Sequence, residues 1–277
     1  MSSHYRPIGV FDSGIGGLTV ARRILTEIPG EDIIYVGDTA HVPYGSKSIS
    51  ELMGYAEEIL DFFEDCSVKV VVAACNTSSA VSIPVLRAQY QLPIIDVIEP
   101  GVRGAIRASK KRRIAVLATE ATANSGAYSQ NLLMADPGVQ VAEIACPRLV
   151  PLVEAGNIEG PEVADAISEY LEQVRAFGAD TVVLGCTHYP YLRPVIEAQL
   201  GPGTVIVDPA VETVETLKRL LAERNLLSVK AKGTARFYCT GPEDSFLSAG
   251  TRFLGRELSV QRVHLEKNRK GTGTQCG

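Results

Sequence analysis

Two stretches, VVVAACNTSSA (residues 70–80) and TVVLGCTHYPYL (residues 181–192), each pass from a continuous apolar run into a cysteine followed by small polar residues. A continuous apolar run rich in β-branched residues is typical of a parallel strand that helices cover on both faces. After each stretch, the next apolar run ends in an acid and a proline, in DVIEP (96–100) and VIVDP (205–209). The repeat predicts two related units, each with a strand that ends in a cysteine.

The remaining sequence alternates in the same way between short apolar runs and helical patterns. Ser48 and Glu51 fit a capping box ahead of an apolar helical stripe, a second stripe ends near Gly178, and Asp208 with Pro209 fits the start of a third helix. Repeated alternation of strand and helix indicates an α/β fold. We predict two pseudo-symmetric α/β lobes with mainly parallel sheets and an active site in the cleft between them.

The positions of the acid–proline pairs suggest where the chain crosses between the lobes. We expect residues 1–98 plus 209–277 to form the first lobe and residues 99–208 to form the second. Residues 266–277 (EKNRKGTGTQCG) are polar and contain glycine, so we predict that this tail is disordered.

Composition and charge exclude several classes of protein. At 277 residues, with 45% hydrophobic and 21% charged side chains, the chain can bury one large core or two ordinary ones. A net charge of −5 provides no general field for nucleic acid or an anionic membrane, so we expect neither as a partner. Without a signal peptide or C-x-x-C pairs, the six cysteines indicate reduced thiols and a cytoplasmic protein. The four histidines are isolated, so we expect no metal site.

Cys75 and Cys186 could each be no more than a small buried apolar side chain. Their matching positions favour a chemical role, because each is expected to head a helix whose N–H groups and dipole lower a thiol pKa. In facing lobes, the two thiols would approach one pocket from opposite sides. Inversion at an α-carbon requires such a pair, since one group removes a proton from one face while the other delivers a proton to the opposite face. Hydrogen-bond donors to the α-carboxylate must also stabilise the developing carbanion.

The stretch FDSGIGG (residues 11–17) does not fit a dinucleotide fingerprint, because a G-x-G-x-x-G frame from Gly14 places Thr19 at the third glycine. The strand, glycine turn and helix start that remain suit an anionic or zwitterionic ligand. Asp12 lies at the carboxyl end of the strand, where it could bind a ligand or cap the turn, and the spacing leaves both roles open.

Five motifs in combination resemble those of glutamate racemases, the cofactor-independent enzymes of the aspartate/glutamate racemase superfamily. They are GVFDSGIGGLTV (9–20), VPYG (42–45), ACNTSSA (74–80), LVPLVEAG (149–156) and GCTHYPYL (185–192). The resemblance extends from about residue 7 to residue 263. It implies interconversion of L- and D-glutamate without a cofactor, supply of D-glutamate for peptidoglycan synthesis and cell shape, and a homodimer.

The resemblance also implies roles for individual residues. Cys75 and Cys186 would be the alternating base and acid, assisted by Asp12 near Cys75 and by Glu154 and His188 near Cys186. The implied substrate-binding residues are Asp12, Ser13, Tyr44, Gly45, Asn76, Thr77, Thr119, Thr122, Thr187 and His188.

Three other functions stay open at this point. Another two-thiol racemase, such as one for aspartate, would differ only in pocket shape. A thiol hydrolase would use one cysteine as a covalent nucleophile and His188 as its base, which leaves the second cysteine unexplained. A non-catalytic amino-acid sensor would bind its ligand without turnover.

Overall fold

The computed structural model describes residues 3–265, which contain ten β-strands. The strands are β1 (Ile8–Asp12), β2 (Ile33–Gly37), β3 (Val70–Ala73), β4 (Ile94–Asp96), β5 (Arg113–Ala118), β6 (Gln140–Ala145), β7 (Thr181–Gly185), β8 (Val205–Val207), β9 (Ala235–Cys239) and β10 (Val260–Arg262). Each pair of neighbouring strands runs parallel. The continuous apolar runs of the sequence therefore form parallel strands, as predicted.

The strands form two sheets with a shared internal order. The first sheet has the order β10-β9-β2-β1-β3-β4, and the second has the order β6-β5-β7-β8. The four strands β2-β1-β3-β4 correspond one to one with β6-β5-β7-β8, because in each set the earliest strand lies between the second and the third. This correspondence confirms the predicted pseudo-symmetry. In it, β3, which precedes Cys75, is equivalent to β7, which precedes Cys186.

Twelve α-helices occur in the described part of the chain. They are α1 (Leu18–Glu27), α2 (Ile49–Asp65), α3 (Asn76–Val81), α4 (Ile83–Leu86), α5 (Ile98–Ala108), α6 (Glu120–Ser125), α7 (Ala127–Ala135), α8 (Leu149–Glu154), α9 (Pro161–Phe177), α10 (Arg193–Leu200), α11 (Pro209–Glu223) and α12 (Glu243–Leu254). Short 3-10 helices cover Ser3–Tyr5, Tyr44–Ser46 and Tyr189–Leu192.

The helix boundaries follow the local signals in the sequence. Ser48 and Glu51 form the reciprocal capping box at the start of α2. Gly178, with φ of 72°, ends α9 in the left-handed conformation that glycine adopts without strain. The side chain of Asp208 accepts a hydrogen bond from the Ala210 N–H at the start of α11. All three predicted helix boundaries are confirmed.

The lobes share one continuous buried apolar core, to which both sheets contribute. Helix α11 packs against α1 of the first lobe and against α5 of the second, and so joins the two. The proposed boundaries at residues 98 and 208 fall between strands of different sheets, and we retain them as a proposal. Residues 266–277, for which we predict a disordered tail, lie outside the described residues.

Strand β10 carries no strong sequence signal. In β10, Val260 is half-buried while Gln261 and Arg262 are exposed, so no apolar run marks this strand. It forms because its backbone pairs with β9, which in turn pairs with β2.

Over residues 3–265, no helix is both long and apolar enough to cross a membrane.

Candidate active site

A cavity of about 230 Å³ lies in the cleft between the two lobes. Its walls are segments that follow β1, β2 and β3 of the first sheet and β5, β6 and β7 of the second. Pockets for drug-sized ligands measure roughly 300–1,000 Å³, so this cavity suits a smaller metabolite. The lining residues are Ser13, Pro43, Tyr44, Gly45, Ser46, Cys75, Asn76, Thr77, Thr119, Glu120, Cys146, Pro147, Val150, Pro151, Cys186, Thr187 and His188.

Cys75 reaches the cavity from the first lobe. It lies two residues after the end of β3, in extended backbone conformation, and is the N-cap residue of α3, as the sequence predicts. Burial raises the pKa of its thiol to about 12, and the negative charge of Asp12 adds to the rise, whereas the N–H and hydroxyl groups of Ser78 lower the pKa. The Ser78 hydroxyl is fully buried, and the described part of the chain offers it no hydrogen-bond acceptor of its own. The raised pKa favours the protonated form of the Cys75 thiol.

Cys186 reaches the same cavity from the second lobe. The prediction that it heads an α-helix is wrong: a turn over residues 186–188 leads into the 3-10 helix Tyr189–Leu192, and α10 begins only at Arg193. Pro190 lacks an N–H group and a second proline follows at position 194, which favours this broken start. The positive charge nearest to the Cys186 sulfur therefore comes from a side chain, that of His188, and not from a helix N-terminus.

The side chain of His188 connects Cys186 to Glu154. Its Nδ1 atom lies 3.7 Å from Cys186 Sγ, and its Nε2 atom lies 2.6 Å from Glu154 Oε1. Burial alone lowers the pKa of His188, but the hydrogen bonds with Cys186 and Glu154 outweigh burial and raise that pKa well above its usual value. A protonated His188 donates to both partners and places a positive charge beside the sulfur, the environment that favours a reactive cysteine.

Asp12 lies behind the cavity wall and is fully buried. Its carboxylate accepts hydrogen bonds from the Gly14 N–H at 3.0 Å and from the Thr187 hydroxyl at 2.9 Å. The first bond orders the turn after β1, and the second joins the two lobes. The turn-capping role left open for Asp12 thus has geometric support, while its contact with a substrate stays a prediction.

The glycines after Asp12 bring the first lobe against the histidine side of the site. A Cβ atom at Gly14 would lie 2.6 Å from Glu154 Oε1, and one at Gly16 would lie 2.5 Å from both His188 Nδ1 and Thr187 Oγ1. Such separations are too short for non-bonded atoms. The glycines of the FDSGIGG stretch therefore provide close contact between the lobes, a role that the sequence analysis missed.

Three threonine hydroxyls from the two lobes meet at the start of α3. Thr77 Oγ1 lies 2.9 Å from Thr119 Oγ1 and 3.3 Å from Thr122 Oγ1, and the latter two are 2.9 Å apart. Thr77 and Thr119 line the cavity, while Thr122 is fully buried behind them. Thr122 is therefore placed to orient the other two hydroxyls, and its predicted contact with substrate remains untested.

Tyr44 and Gly45 form the wall beside Cys75, and a buried carboxylate holds the tyrosine in place. The Tyr44 hydroxyl donates to Asp38 Oδ2 at 2.5 Å, and the same carboxylate accepts from His41 and from the Thr240 hydroxyl. Asp38 is 1% exposed. It was not among the predicted site residues, because its role depends on Thr240, about two hundred residues away along the chain.

The structure brings ten predicted site residues to the cavity surface. These are Ser13, Tyr44, Gly45, Cys75, Asn76, Thr77, Thr119, Cys186, Thr187 and His188, while Asp12, Thr122 and Glu154 stand behind them.

Cys146 is a further lining residue that the analysis missed, although AEIAC (142–146) is another apolar strand ending in cysteine. Burial raises the pKa of Cys146, and its sulfur donates to the carbonyl of Ile144. Over residues 3–265, no three potential ligand side chains form a metal-binding cluster.

Comparison with known proteins relates the whole described fold to one group. The family model described as Asp/Glu/hydantoin racemase matches residues 8–217. A glutamate racemase of Desulforudis audaxviator is 46% identical over 257 residues, which cover 90% of this chain and 94% of the relative.

Solved structures agree with the sequence comparison. A glutamate racemase isoform of Bacillus anthracis has a TM-score of 0.92 at 36% identity, with 95% of this chain and 98% of that chain covered. The glutamate racemase of Francisella tularensis in complex with D-glutamate has a TM-score of 0.89 at 36% identity, with coverage of 96% and 100%.

Proposed function

The chain belongs to the Asp/Glu/hydantoin racemase family, and on that premise we propose that it interconverts L- and D-glutamate by proton transfer at the α-carbon. The observation that carries the proposal is the position of two sulfurs, Cys75 and Cys186, which line one cavity from two corresponding strands. Two groups on opposite walls meet the stereochemical demand of inversion, which one group on one wall does not.

In the proposed reaction, the sulfur of Cys186 takes the α-proton from one face of the substrate while Cys75 delivers its proton to the other face. The raised pKa of Cys75 suits a proton donor, and a protonated His188 beside Cys186 suits a sulfur that carries negative charge. One turnover exchanges the protonation states of the two sulfurs. The opposite enantiomer reacts with the exchanged form, so each cysteine serves as acid in one direction and as base in the other.

The weakly acidic α-proton also requires stabilisation of the carbanion that forms. We assign this task to hydrogen-bond donors on the cavity wall that bind the α-carboxylate, namely Ser13, Asn76, Thr77 and the backbone N–H of Thr187, since the Thr187 hydroxyl donates to Asp12. Such donors, fixed before the reaction and shielded from water, stabilise developing charge without reorganisation. Asp12, Thr122 and Glu154 act from behind the wall by orienting these donors and His188.

The test is racemisation in deuterium oxide, followed by chiral chromatography and mass spectrometry. We expect each product enantiomer to carry one solvent deuterium at the α-carbon, and we expect Cys75→Ala and Cys186→Ala each to lose at least about 10²–10⁴-fold in turnover. Cys239→Ala is the matched control, since Cys239 is also a free buried cysteine but does not line the cavity.

Near-parent turnover in either cavity variant would mean that the thiol has been misassigned. A covalent acyl-enzyme trapped on one cysteine would support the hydrolase instead. Parallel assays with L-glutamate and L-aspartate decide between the two racemase substrates.

We further propose that the D-glutamate enters peptidoglycan synthesis and so contributes to cell-wall biogenesis and cell shape, that the protein acts in the cytoplasm, and that it works as a homodimer. The family relationship supports these assignments. Sedimentation equilibrium at micromolar concentration tests the dimer. Deletion of the gene tests the cell-wall role: cells should lose viability, and added D-glutamate should restore it.

A further inference from the structure

Tyr128 joins the second lobe to the residue that follows Cys75. It lies on α7, its side chain is fully buried, and its hydroxyl donates a hydrogen bond of 2.7 Å to Asn76 Oδ1. Asn76 is the first residue of α3, is 4% exposed and lines the cavity. The tyrosine itself does not line the cavity, and its hydroxyl reaches the site through Asn76.

Two glycines make room for the Tyr128 ring between the cysteine-bearing strands. A Cβ atom at Gly185, the residue before Cys186, would lie 3.2 Å from Tyr128 Cε2, and one at Gly101 would lie 3.3 Å from the Tyr128 hydroxyl oxygen. The ring therefore packs directly behind the strand end that carries Cys186, while its hydroxyl meets the residue after Cys75. Within this packed space the ring has little freedom to move.

The hydroxyl of Tyr128 imposes one orientation on the Asn76 carboxamide. Burial raises the pKa of Tyr128 well above its usual value, and nearby acidic groups add to the rise, so the hydroxyl keeps its proton and acts as a donor. Asn76 can satisfy a donor only with its oxygen. With Oδ1 turned toward Tyr128, the NH2 group faces away from the tyrosine, on the side of the cavity.

We propose that Tyr128 is a positioning residue that holds the Asn76 NH2 group ready to donate to the α-carboxylate of the substrate. The inference rests on the proposed racemase function and extends it to a residue behind the site. Without the tyrosine hydroxyl, the carboxamide can turn its oxygen toward the substrate carboxylate, where two acceptors would repel each other.

Tyr128→Phe tests the proposal, because it removes the hydroxyl and retains the ring. We expect KM to rise about tenfold for both enantiomers, which corresponds to about 1.4 kcal/mol and lies within the range of a single hydrogen bond. Because the same donor also stabilises the developing carbanion, kcat should fall as well, so that kcat/KM falls by more than tenfold. Tyr170→Phe is the matched control: Tyr170 is buried in the same lobe and accepts a hydrogen bond from the Arg148 N–H, but does not touch the cavity.

A double-mutant cycle separates positioning from a structural effect. In an Asn76→Ala background, Tyr128→Phe should change KM by less than about twofold, because no carboxamide remains to be oriented. An equal tenfold rise in both backgrounds would overturn the proposal, as would an unchanged KM in Tyr128→Phe alone.

Asn76→Asp provides a second test that leaves the tyrosine in place. The change is nearly isosteric and satisfies the Tyr128 hydroxyl, but it presents an oxygen instead of an NH2 group to the cavity. We expect KM to rise more than tenfold, and parent-like KM would overturn the proposal. A parent protein that does not racemise glutamate would contradict the proposed function, whereas normal parent turnover with an unaffected Tyr128→Phe variant would contradict this inference alone.

Discussion

Replacing Gly16 by alanine tests whether the lobes must meet at close range for the site to work. A Cβ atom there would lie 2.5 Å from His188 Nδ1 and 2.5 Å from Thr187 Oγ1. Carbon atoms and their non-bonded neighbours prefer separations of about 3.5–4.0 Å. About 1 Å of additional space must therefore come from movement of the loop, of the two side chains or of a whole lobe.

The substitution is expected to lower activity strongly while the protein stays folded. Overpacking of this kind costs about 1–3 kcal/mol in the free energy of unfolding. Displacement of a catalytic group by about 1 Å costs about a hundredfold in rate. Because the displaced group is His188 Nδ1, which lies 3.7 Å from Cys186 Sγ, we expect kcat/KM of Gly16→Ala to fall about a hundredfold while the protein stays folded.

The assay follows racemisation of each glutamate enantiomer by circular dichroism, with urea unfolding to measure stability. Gly138→Ala is the control, since its Cβ would chiefly meet, at 2.9 Å, the end of the exposed Arg112 side chain, which can move. Parent-like kcat/KM in Gly16→Ala would refute the reasoning, because it would show that the close contact between the lobes is not needed for catalysis.

Three further predictions concern the surroundings of the two sulfurs and the buried ion pair between Lys69 and Glu31. Glu154→Gln removes the negative charge that raises the pKa of His188, so that pKa should fall and the alkaline limb of the pH–rate profile should move to lower pH. Turnover should drop about 10–100-fold, and an unmoved limb would contradict this. Ser78→Ala removes a group that lowers the pKa of Cys75, so iodoacetamide labelling of Cys75, followed by peptide mass spectrometry, should require higher pH than in the parent protein. Lys69→Met leaves the buried carboxylate of Glu31, at the amino end of the first sheet, without its cationic partner. The free energy of unfolding in urea should fall by about 3–5 kcal/mol, with kcat unchanged.

Local signals in the sequence were sufficient to predict the elements that frame the site. The capping box of Ser48 with Glu51 and the cap at Asp208 depend on residues within three positions of one another, so the sequence alone indicates them. The same holds for the strand end at Cys75, where a continuous apolar run stops at a residue followed by a helix.

Contacts between distant segments could not be predicted in this way. Thr187 reaches Asp12 across 175 positions, and Tyr128 reaches Asn76 across 52 positions. Both contacts depend on how the two sheets face each other, which no local pattern encodes. The helix start predicted at Cys186 was wrong for a local reason, because Pro190 has no N–H group to donate within a first turn that begins there.

The two unlike walls of the cavity are subject to a thermodynamic constraint. Mirror-image amino acids have equal free energies in water, so their equilibrium mixture is even and kcat/KM must be the same for both at every pH. The walls of the cavity are nevertheless unlike, with His188 and Glu154 beside one sulfur and Ser78 beside the other. The difference between the two walls can therefore give the enantiomers different kcat values only if their KM values differ by the same factor. A variant with a changed kcat/KM for one enantiomer alone would violate detailed balance.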